Sequence, residues 1–223
     1  MRILAFDTST QYCSAALWVD GRVLYREMLA GKRHTEFLLP MIQEMLADAG
    51  AVLTQLDGIA FGSGPGSFTG LRIACGVAQG IALGADLPVL GISTLEALAQ
   101  QVGDGNVVTA LDARMGEIYY ATYIKFADNW QSVNPPILCS PRNAPPILGN
   151  NWIACGSGFD VYNEVLLDRY NGCISRVHGE FNPHAREITQ LAAPRFLEGL
   201  GVDPATISLL YIRNKVALKE NER

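Results

Sequence analysis

The sequence predicts an α/β protein of two lobes, each built on a layered β-sheet. Short apolar runs alternate with segments whose apolar residues recur at helical spacing, as in strands connected by helices. The dipeptide Asp20-Gly21 between two strand-like runs is typical of a tight hairpin, so an antiparallel ribbon precedes the parallel strands. The composition of Gly103-Asp104-Gly105 predicts a boundary between lobes of residues 1–103 and 104–223.

The first lobe is predicted in the order β-β-β-α-β-α-β-α. Its first helix contains Pro40, which lacks an N–H, so either the regular helix begins near Phe37 or Thr35 caps a distorted first turn. Ser93 and Glu96 have the spacing of a capping box for the third helix. In chain order, the predicted elements cover residues 3–7, 14–19, 22–28, 35–49, 58–61, 71–85, 89–92 and 94–102.

The second lobe is predicted to open with a strand pair, residues 107–111 and 118–125. Five prolines between residues 129 and 151 indicate loops with one short strand. A strand at 153–155 and a helix at 160–169 follow, and a last helix covers residues 185–200. The chain end, LLYIRNKVALKE, is amphipathic and receives no assignment.

Composition excludes several classes of protein. With 49% hydrophobic and 17% charged residues, the 223-residue chain is neither disordered nor fibrous. Its net charge of −5 argues against a protein that binds tRNA or DNA unaided, because phosphate neutralisation needs a basic excess. No apolar run approaches the roughly 20 residues of a membrane span, so no membrane association is expected. Five widely spaced cysteines without a CxxC pair indicate a reduced, cytoplasmic protein.

Two loops suggest phosphate binding. Residues 62–70, GSGPGSFTG, precede a helix, but they lack the lysine of a Walker loop, and a structural turn is favoured. Asp7, Thr8, Ser9 and Thr10 follow the first strand. Their carboxylate and hydroxyls suit a metal–water shell and a nucleotide phosphate, or they satisfy the backbone of their own turn. Both alternatives stay open. No cofactor is expected, apart from weak binding of a nucleotide at these residues.

The sequence predicts neither a catalytic residue nor a metal site. Its three histidines have no Cys, Asp or Glu at a ligand spacing, and no nucleophile–base arrangement can be assembled. Asp112, Arg114 and Glu117 cluster at a hairpin and could be catalytic, although such a group is more often a salt-bridged turn.

The helix predicted at 71–85 carries two adjacent lines of small residues. They are Gly76, Gly80 and Gly84 on one line, and Ala74, Ala78 and Ala82 on the other. Each glycine inside a helix costs about 1 kcal/mol relative to alanine, and close approach of another backbone is the usual compensation. That backbone belongs either to this lobe or to a second subunit, and we favour the subunit.

The preceding helix, predicted at 35–49, is expected to carry an apolar surface next to these small residues. Leu38, Ile42 and Met45 form a stripe at helical spacing, and Phe37 and Met41 widen it beyond the ~100° of an ordinary core-facing helix. An exposed apolar patch marks an association site. The two helices are therefore expected to form an interface.

Five segments together resemble one family, and the resemblance runs from end to end of the chain. They are ILAFDTSTQYCSAAL at 3–17, RHTEFLLPMIQEML at 33–46, GPGSFTGLRIACGVAQGIA at 64–82, LDARMGEIYYATY at 111–123 and YIRNKVA at 211–217. They resemble the bacterial TsaB (YeaZ) family of the glycoprotease-like superfamily, a subunit of tRNA threonylcarbamoyladenosine biosynthesis.

The resemblance implies an actin-like ATPase (sugar kinase/Hsp70) fold of two ribonuclease-H-like lobes. It implies a non-catalytic partner of the paralogue TsaD and the ATPase TsaE, in a complex that adds threonylcarbamoyl to the adenosine beside the anticodon. The tRNAs are those that read codons starting with A. The chain is expected to contact tRNA only through the complex. The first two helices are expected to form the contact with TsaD, and the same contact in a homodimer.

Two other functions of the superfamily stay open. A small-molecule kinase of this fold would need an active aspartate and a complete phosphate cleft, and a peptidase would need a metal or a nucleophile. The resemblance and the missing signatures favour the partner subunit over both enzymes.

Overall fold

A computed structural model describes residues 1–213 of the chain as two five-stranded mixed sheets with helices on their faces. The strands are β1 (Arg2–Asp7), β2 (Tyr12–Val19), β3 (Arg22–Leu29), β4 (Gly58–Gly64), β5 (Val89–Ser93), β6 (Asn106–Arg114), β7 (Glu117–Phe126), β8 (Asn129–Cys139), β9 (Trp152–Cys155) and β10 (Ile174–His178). The helices are α1 (His34–Asp48), α2 (Phe68–Ala85), α3 (Thr94–Val102), α4 (Ser157–Val161), α5 (Asn163–Arg169) and α6 (Ala185–Leu197). The YIRNKVA segment lies outside the described residues from 214 onward.

The two sheets repeat one plan. The first has the order β3-β2-β1-β4-β5 and the second β8-β7-β6-β9-β10. In each, three antiparallel strands come first and two strands parallel to the central one follow. This repeated order confirms the predicted α/β class and the two ribonuclease-H-like lobes of the actin-like ATPase fold.

Helices and sheets alternate in five layers. Alternate residues of β1 divide between two cores, with Leu4 and Phe6 facing α1 and α2, and Ile3 and Ala5 facing α6. On the second sheet, Val107 faces α3, while Val108 on the opposite face packs with α4 and α5. The helices α3 and α6 therefore lie between the sheets and contact each other.

The lobe boundary remains a prediction. All strands of the first sheet precede Gly103 and all strands of the second follow it. The last helix, α6, comes after the second sheet in the chain but packs on β1, β2 and β4 of the first. Arg195 of α6 pairs there with Glu96 of α3.

The first half of the chain follows its predicted order. The hairpin residues Asp20 and Gly21 have φ of 47° and 90°, as a tight hairpin between β2 and β3 requires. The helix α1 begins at His34 and continues through Pro40, so neither proposed start is right. Pro40 is exposed, and the carbonyl that lacks its N–H partner belongs to exposed Glu36 and can bond water.

Other predicted boundaries are wrong for identifiable reasons. The predicted capping box does not form, because the Ser93 side chain makes no capping bond and Glu96 instead pairs with α6. The long strand β8 contains Pro135 and Pro136, which an edge strand tolerates where its register with β7 shifts. The helix predicted at 160–169 is broken at Tyr162 into α4 and α5, and β10 was not predicted.

The helix α2 corrects the expectation about apolar runs. It has 18 residues with a mean hydropathy of 1.3, so by length and composition alone this helix could cross a membrane. Its inner face packs on β4, as the inner face of a core helix does. Ser67 is the N-cap of this helix, since its Oγ accepts a hydrogen bond from the Gly70 N–H.

Close backbone contact fixes the start of α2 against the turn between β1 and β2. A Cβ on Gly70 would lie 1.8 Å from the Thr8 carbonyl oxygen, and a Cβ on Gly66 would lie 2.7 Å from that of Ser9. The Ser67 N–H donates to the same Ser9 carbonyl at 2.7 Å. The Gly-rich loop is therefore packed directly on this turn, which is the structural role favoured from its sequence.

We expect Gly70→Ala to lower the free energy of unfolding by at least about 2 kcal/mol, because backbone on both sides must move to admit the methyl group. The matched control is Gly76→Ala in the same helix, where a Cβ meets nothing within 4 Å. That change should raise stability by up to about 1 kcal/mol through helix propensity. Chemical denaturation of both variants tests this, and equal effects would contradict the close contact.

Candidate functional site

The turn after β1 uses its polar groups internally. The Asp7 Oδ1 accepts hydrogen bonds from the Ser9 N–H at 2.9 Å and the Ser9 hydroxyl at 2.8 Å. The Thr8 hydroxyl donates to the Gly70 carbonyl at 2.7 Å. Of the four predicted site residues, Asp7, Thr8 and Ser9 are buried, and Thr10 is partly exposed. The arrangement matches the turn that satisfies its own backbone, and the start of α2 occupies the space beside it.

Asp7 is a buried carboxyl with one unpartnered oxygen. Its Oδ2 has no hydrogen-bond partner among the described residues and lies where a Cβ of Gly62 would be, 1.8 Å away. Desolvation by burial raises the pKa of Asp7 to about 6, although both hydrogen bonds from Ser9 oppose this. Burial thus raises the cost of ionising Asp7, although a carboxyl with this pKa is still mostly ionised at pH 7.

A cleft of about 730 Å³ opens between the lobes beside this turn. Thr10 and Lys32 line it from the first lobe, with the beginning of α2. Arg114 and Asp160 line it from the second lobe, and the chain end contributes Arg213. We call this space the interlobe cleft.

The hairpin cluster between β6 and β7 is held together by internal bonds. The Asp112 Oδ1 accepts from the Arg114 N–H at 2.8 Å and from the Tyr162 hydroxyl at 3.3 Å. Glu117 pairs at 2.6 Å with Arg213, ninety-six residues later. The salt bridge that the sequence left open beside a catalytic role is therefore not formed within the turn, since Arg114 has no ion pair among residues 1–213 and Glu117 pairs with Arg213. Arg213 was not predicted, because nothing in its local sequence indicates a partner so distant.

In an aromatic and cationic group at the mouth of the interlobe cleft, the aromatic members Phe68 and Tyr211 were also missed. The guanidinium of Arg72 lies 3.9 Å from the centre of the Phe68 ring and donates to the Tyr211 hydroxyl at 3.1 Å. The Phe68 and Tyr211 ring centres are 5.7 Å apart. The cue in the sequence was the spacing of Phe68 and Arg72, four residues apart on one helix.

Two of the three histidines, His34 and His184, are buried and lie at the starts of helices. His34 begins α1 and is buried, and desolvation lowers its pKa. His184 caps α6 by accepting from the Arg186 N–H at 2.9 Å, and burial lowers its pKa to about 4, so the ring is neutral at pH 7. Residues 1–213 hold no group of three or more potential metal ligands.

The structure corrects the apolar surface expected on α1. Leu38, Met41, Ile42 and Met45 are all buried in the core between α1, α2 and the first sheet. Phe37 is half-buried, with the Arg33 guanidinium 4.5 Å from its ring centre. The wide stripe is therefore explained by burial from two sides, since the first sheet and α2 both cover it.

The two lines of small residues on α2 face opposite ways. Ala74, Ala78 and Ala82 are fully buried against the first sheet. The other line, Gly76, Gly80 and Gly84, is exposed, and a Cβ at any of the three would meet nothing within 4 Å. We call this second line the glycine line. Packing within the described chain does not explain it.

The chain matches a family model and full-length relatives. The model described as "TsaD: tRNA N6-adenosine threonylcarbamoyltransferase" matches residues 28–190. The tRNA threonylcarbamoyladenosine biosynthesis protein TsaB of Escherichia coli is 39% identical, with 99% of this chain and 98% of the relative covered. The protein of the same name from Haemophilus influenzae is 38% identical, with 99% and 97% covered.

Two solved structures share the fold across nearly the whole chain. A Pseudomonas aeruginosa protein described as similar to the peptidase YEAZ has a TM-score of 0.89 at 35% identity, and covers 95% of this chain and 99% of its own. YeaZ from Pseudomonas aeruginosa has a TM-score of 0.87 at 36% identity, and covers 94% and 99%. The matched family model, the full-length relatives and these structures agree with the five motifs of the sequence, and the chain belongs to the TsaB (YeaZ) family.

Proposed function

We propose that this chain is the non-catalytic subunit of the complex that adds threonylcarbamoyl to the adenosine beside the anticodon in tRNAs reading codons that start with A. Its relatives are named for tRNA threonylcarbamoyladenosine biosynthesis, and this role is the basis of the proposal. In the complex the chain binds the catalytic paralogue TsaD, together with the ATPase TsaE, and meets tRNA through them. The observation that carries the subunit role is the exposed glycine line of α2.

The glycine line supports a second chain on α2. Three glycines inside a helix cost about 3 kcal/mol relative to alanines, and no neighbouring atom of the described chain uses the space they leave. The adjacent Leu83 is 64% exposed. A helix of a partner could approach this backbone closely and cover that leucine, which would offset the cost.

The same surface suits two partners of related shape. Because TsaD is a paralogue, its equivalent helices can form a pseudo-symmetric contact with α2, and a second copy of this chain can form the symmetric one. The exposed part of α1, including Leu39, lies beside α2 and completes the surface. We propose a homodimer for the chain alone, and a cytoplasmic location for the complex.

The burial of Asp7 supports a non-catalytic role over a kinase of the same fold. An active aspartate must reach metal or substrate, whereas Asp7 is 1% exposed and its Oδ2 lies against Gly62. The Thr8 hydroxyl donates to the Gly70 carbonyl, and neither Asp7 nor Thr8 lines the interlobe cleft. A nucleotide phosphate in the cleft would therefore meet Ser9, Thr10 and the Gly-rich loop without reaching Asp7.

Reconstitution tests the function directly. TsaD and TsaE from the same organism, supplied with the threonylcarbamoyl adenylate and tRNA, should form threonylcarbamoyladenosine at least ten times faster when this chain is added. The chain alone should form none and should not turn over ATP. Modification by the chain without TsaD would overturn the non-catalytic role, and modification unaffected by the chain would overturn the subunit role.

Gly80→Leu should prevent both the homodimer and the capture of TsaD while leaving the fold intact, because the side chain projects into open space that a partner would fill. Analytical ultracentrifugation and pull-down measure the two contacts, and circular dichroism checks the fold. The control is Glu164→Leu, which adds an exposed leucine on α5 of the second sheet. A folded Gly80→Leu that dimerises and captures TsaD normally places the interface elsewhere.

Burial of Asp7 predicts a specific pH dependence of stability. The folded-state pKa of Asp7, about 6, is higher than its value in the unfolded chain. Between these two pKa values the folded state binds more protons than the unfolded state, so the contribution of Asp7 to the free energy of unfolding becomes more favourable as the pH falls. Between pH 7.5 and 5, the unfolding free energy of the wild type should gain about 1–2 kcal/mol relative to Asp7→Asn. Urea denaturation at both pH values measures this, and a constant difference contradicts the raised pKa.

A further inference from the structure

We infer that the mouth of the interlobe cleft is an RNA contact, in which an unpaired base stacks on Phe68 and Tyr211 and neighbouring phosphates pair with Lys32 and Arg114. The inference rests on the proposed function and names a site for tRNA on this subunit itself. It deepens that function, because the acidic chain is otherwise expected to meet tRNA only through its partners.

Two cations face this mouth from opposite lobes although the chain is acidic overall. Lys32 and Arg114 line the interlobe cleft from opposite lobes, and Arg72 stands at its edge. Lys32 and Arg114 are exposed and form no ion pair within residues 1–213. Asp112 and Asp160 line the same space, so carboxylates face it as well as cations. Unpaired cations on two sides of a cleft are suited to a strand that carries a phosphate at each nucleotide.

The aromatic pair supplies a stacking surface between these cations. Phe68 is 39% exposed and Tyr211 is 48% exposed, and their ring centres lie 5.7 Å apart. Arg72 holds both, with its guanidinium over the Phe68 ring and its Nε donating to the Tyr211 hydroxyl. The pair is fixed before any ligand arrives, so a base can stack without first ordering the rings. Stacking on aromatic rings next to cations is the usual way in which proteins hold single-stranded RNA.

The interior of the cleft favours a strand across the mouth over a nucleotide bound deeply. The corner beside Asp7 is filled by the Gly-rich loop, whose glycines touch the Thr8 and Ser9 carbonyls. The open space of about 730 Å³ is lined by Ser9, Thr10 and the Gly-rich loop, and Asp7 and Thr8 do not line it. A strand that crosses this space can contact the exposed groups at the rim, which are the ones that stack and carry charge.

The site also adjoins the proposed subunit contact. Arg72 lies four residues before Gly76 and so continues the glycine line by one turn toward the cleft. A partner seated on the glycine line would end beside Arg72, and RNA at the mouth would touch both subunits. This placement fits the flexible anticodon loop better than a rigid duplex, because only unpaired bases can stack on the exposed rings.

Charge reversal in the reconstituted complex with TsaD tests the phosphate contacts. Lys32→Glu with Arg114→Glu should weaken tRNA binding at least tenfold at 100 mM salt and reduce the slope of log K against log salt by about 1–2. The control reverses Arg22 and Arg176, two exposed arginines at other edges of the sheets. Equal tRNA affinity in both double variants overturns the site. Loss of TsaE binding with tRNA affinity unchanged also overturns it, since the mouth would then dock a protein.

Photocrosslinking tests the stacking contact without relying on the complex. Transfer RNA carrying 4-thiouridine in the anticodon loop, in excess over the isolated chain at low salt, should crosslink to peptides containing Phe68 or Tyr211. Phe68→Ala should reduce that yield at least fivefold, whereas Phe126→Ala, at an exposed phenylalanine of β7, should not. Crosslinks confined to other peptides overturn the site. Failure to bind TsaD would reject the proposed subunit role and leave this result standing.

Discussion

The contact between the Gly-rich loop and the turn after β1 determines most of what the first lobe can do. Gly66 and Gly70 allow two backbones to meet where any side chain would separate them. That contact sets the start of α2, and the start sets which face of the helix is buried. The alanines then pack on the sheet and the glycine line faces outward. The same contact buries Thr8, while Ser9 and Thr10 line the interlobe cleft.

The repeated sheet plan explains why a cleft exists at all. Each sheet places its helices on both faces, and α3 and α6 fill the space between the two sheets. At one edge this filling stops, and the loops after β1 and β6 face each other across open space. Arg213 crosses that edge to pair with Glu117, which ties residue 213 to the second lobe. The cleft is therefore a consequence of the duplication, whether or not it retains a ligand.

The sequence predicted local structure well where one nearby residue decides the conformation. The Asp20-Gly21 hairpin is an example, because positive φ at both positions is a local requirement. Predictions failed where distant packing decides. Pro135 and Pro136 are accepted because β8 is an edge strand, and Met41 is buried because α2 covers it from the side. Arg213 and Tyr211 join the cleft through contacts with residues more than ninety positions earlier, and spacing carries no trace of those.

Glycine in this chain has two opposite uses that its spacing cannot distinguish. At Gly58, Gly62 and Gly70 the missing side chain is replaced by atoms of the same chain, and the cost of a flexible residue is offset on folding. At the glycine line the missing side chains leave a shallow strip of exposed backbone, and no atom of residues 1–213 would lie within 4 Å of an added Cβ. Both sets of glycines lose a similar conformational entropy on folding. In the glycine line, contacts within the described chain do not offset that loss. The proposed partner chain would offset that cost by covering the strip, so the subunit role depends on the outer face of α2.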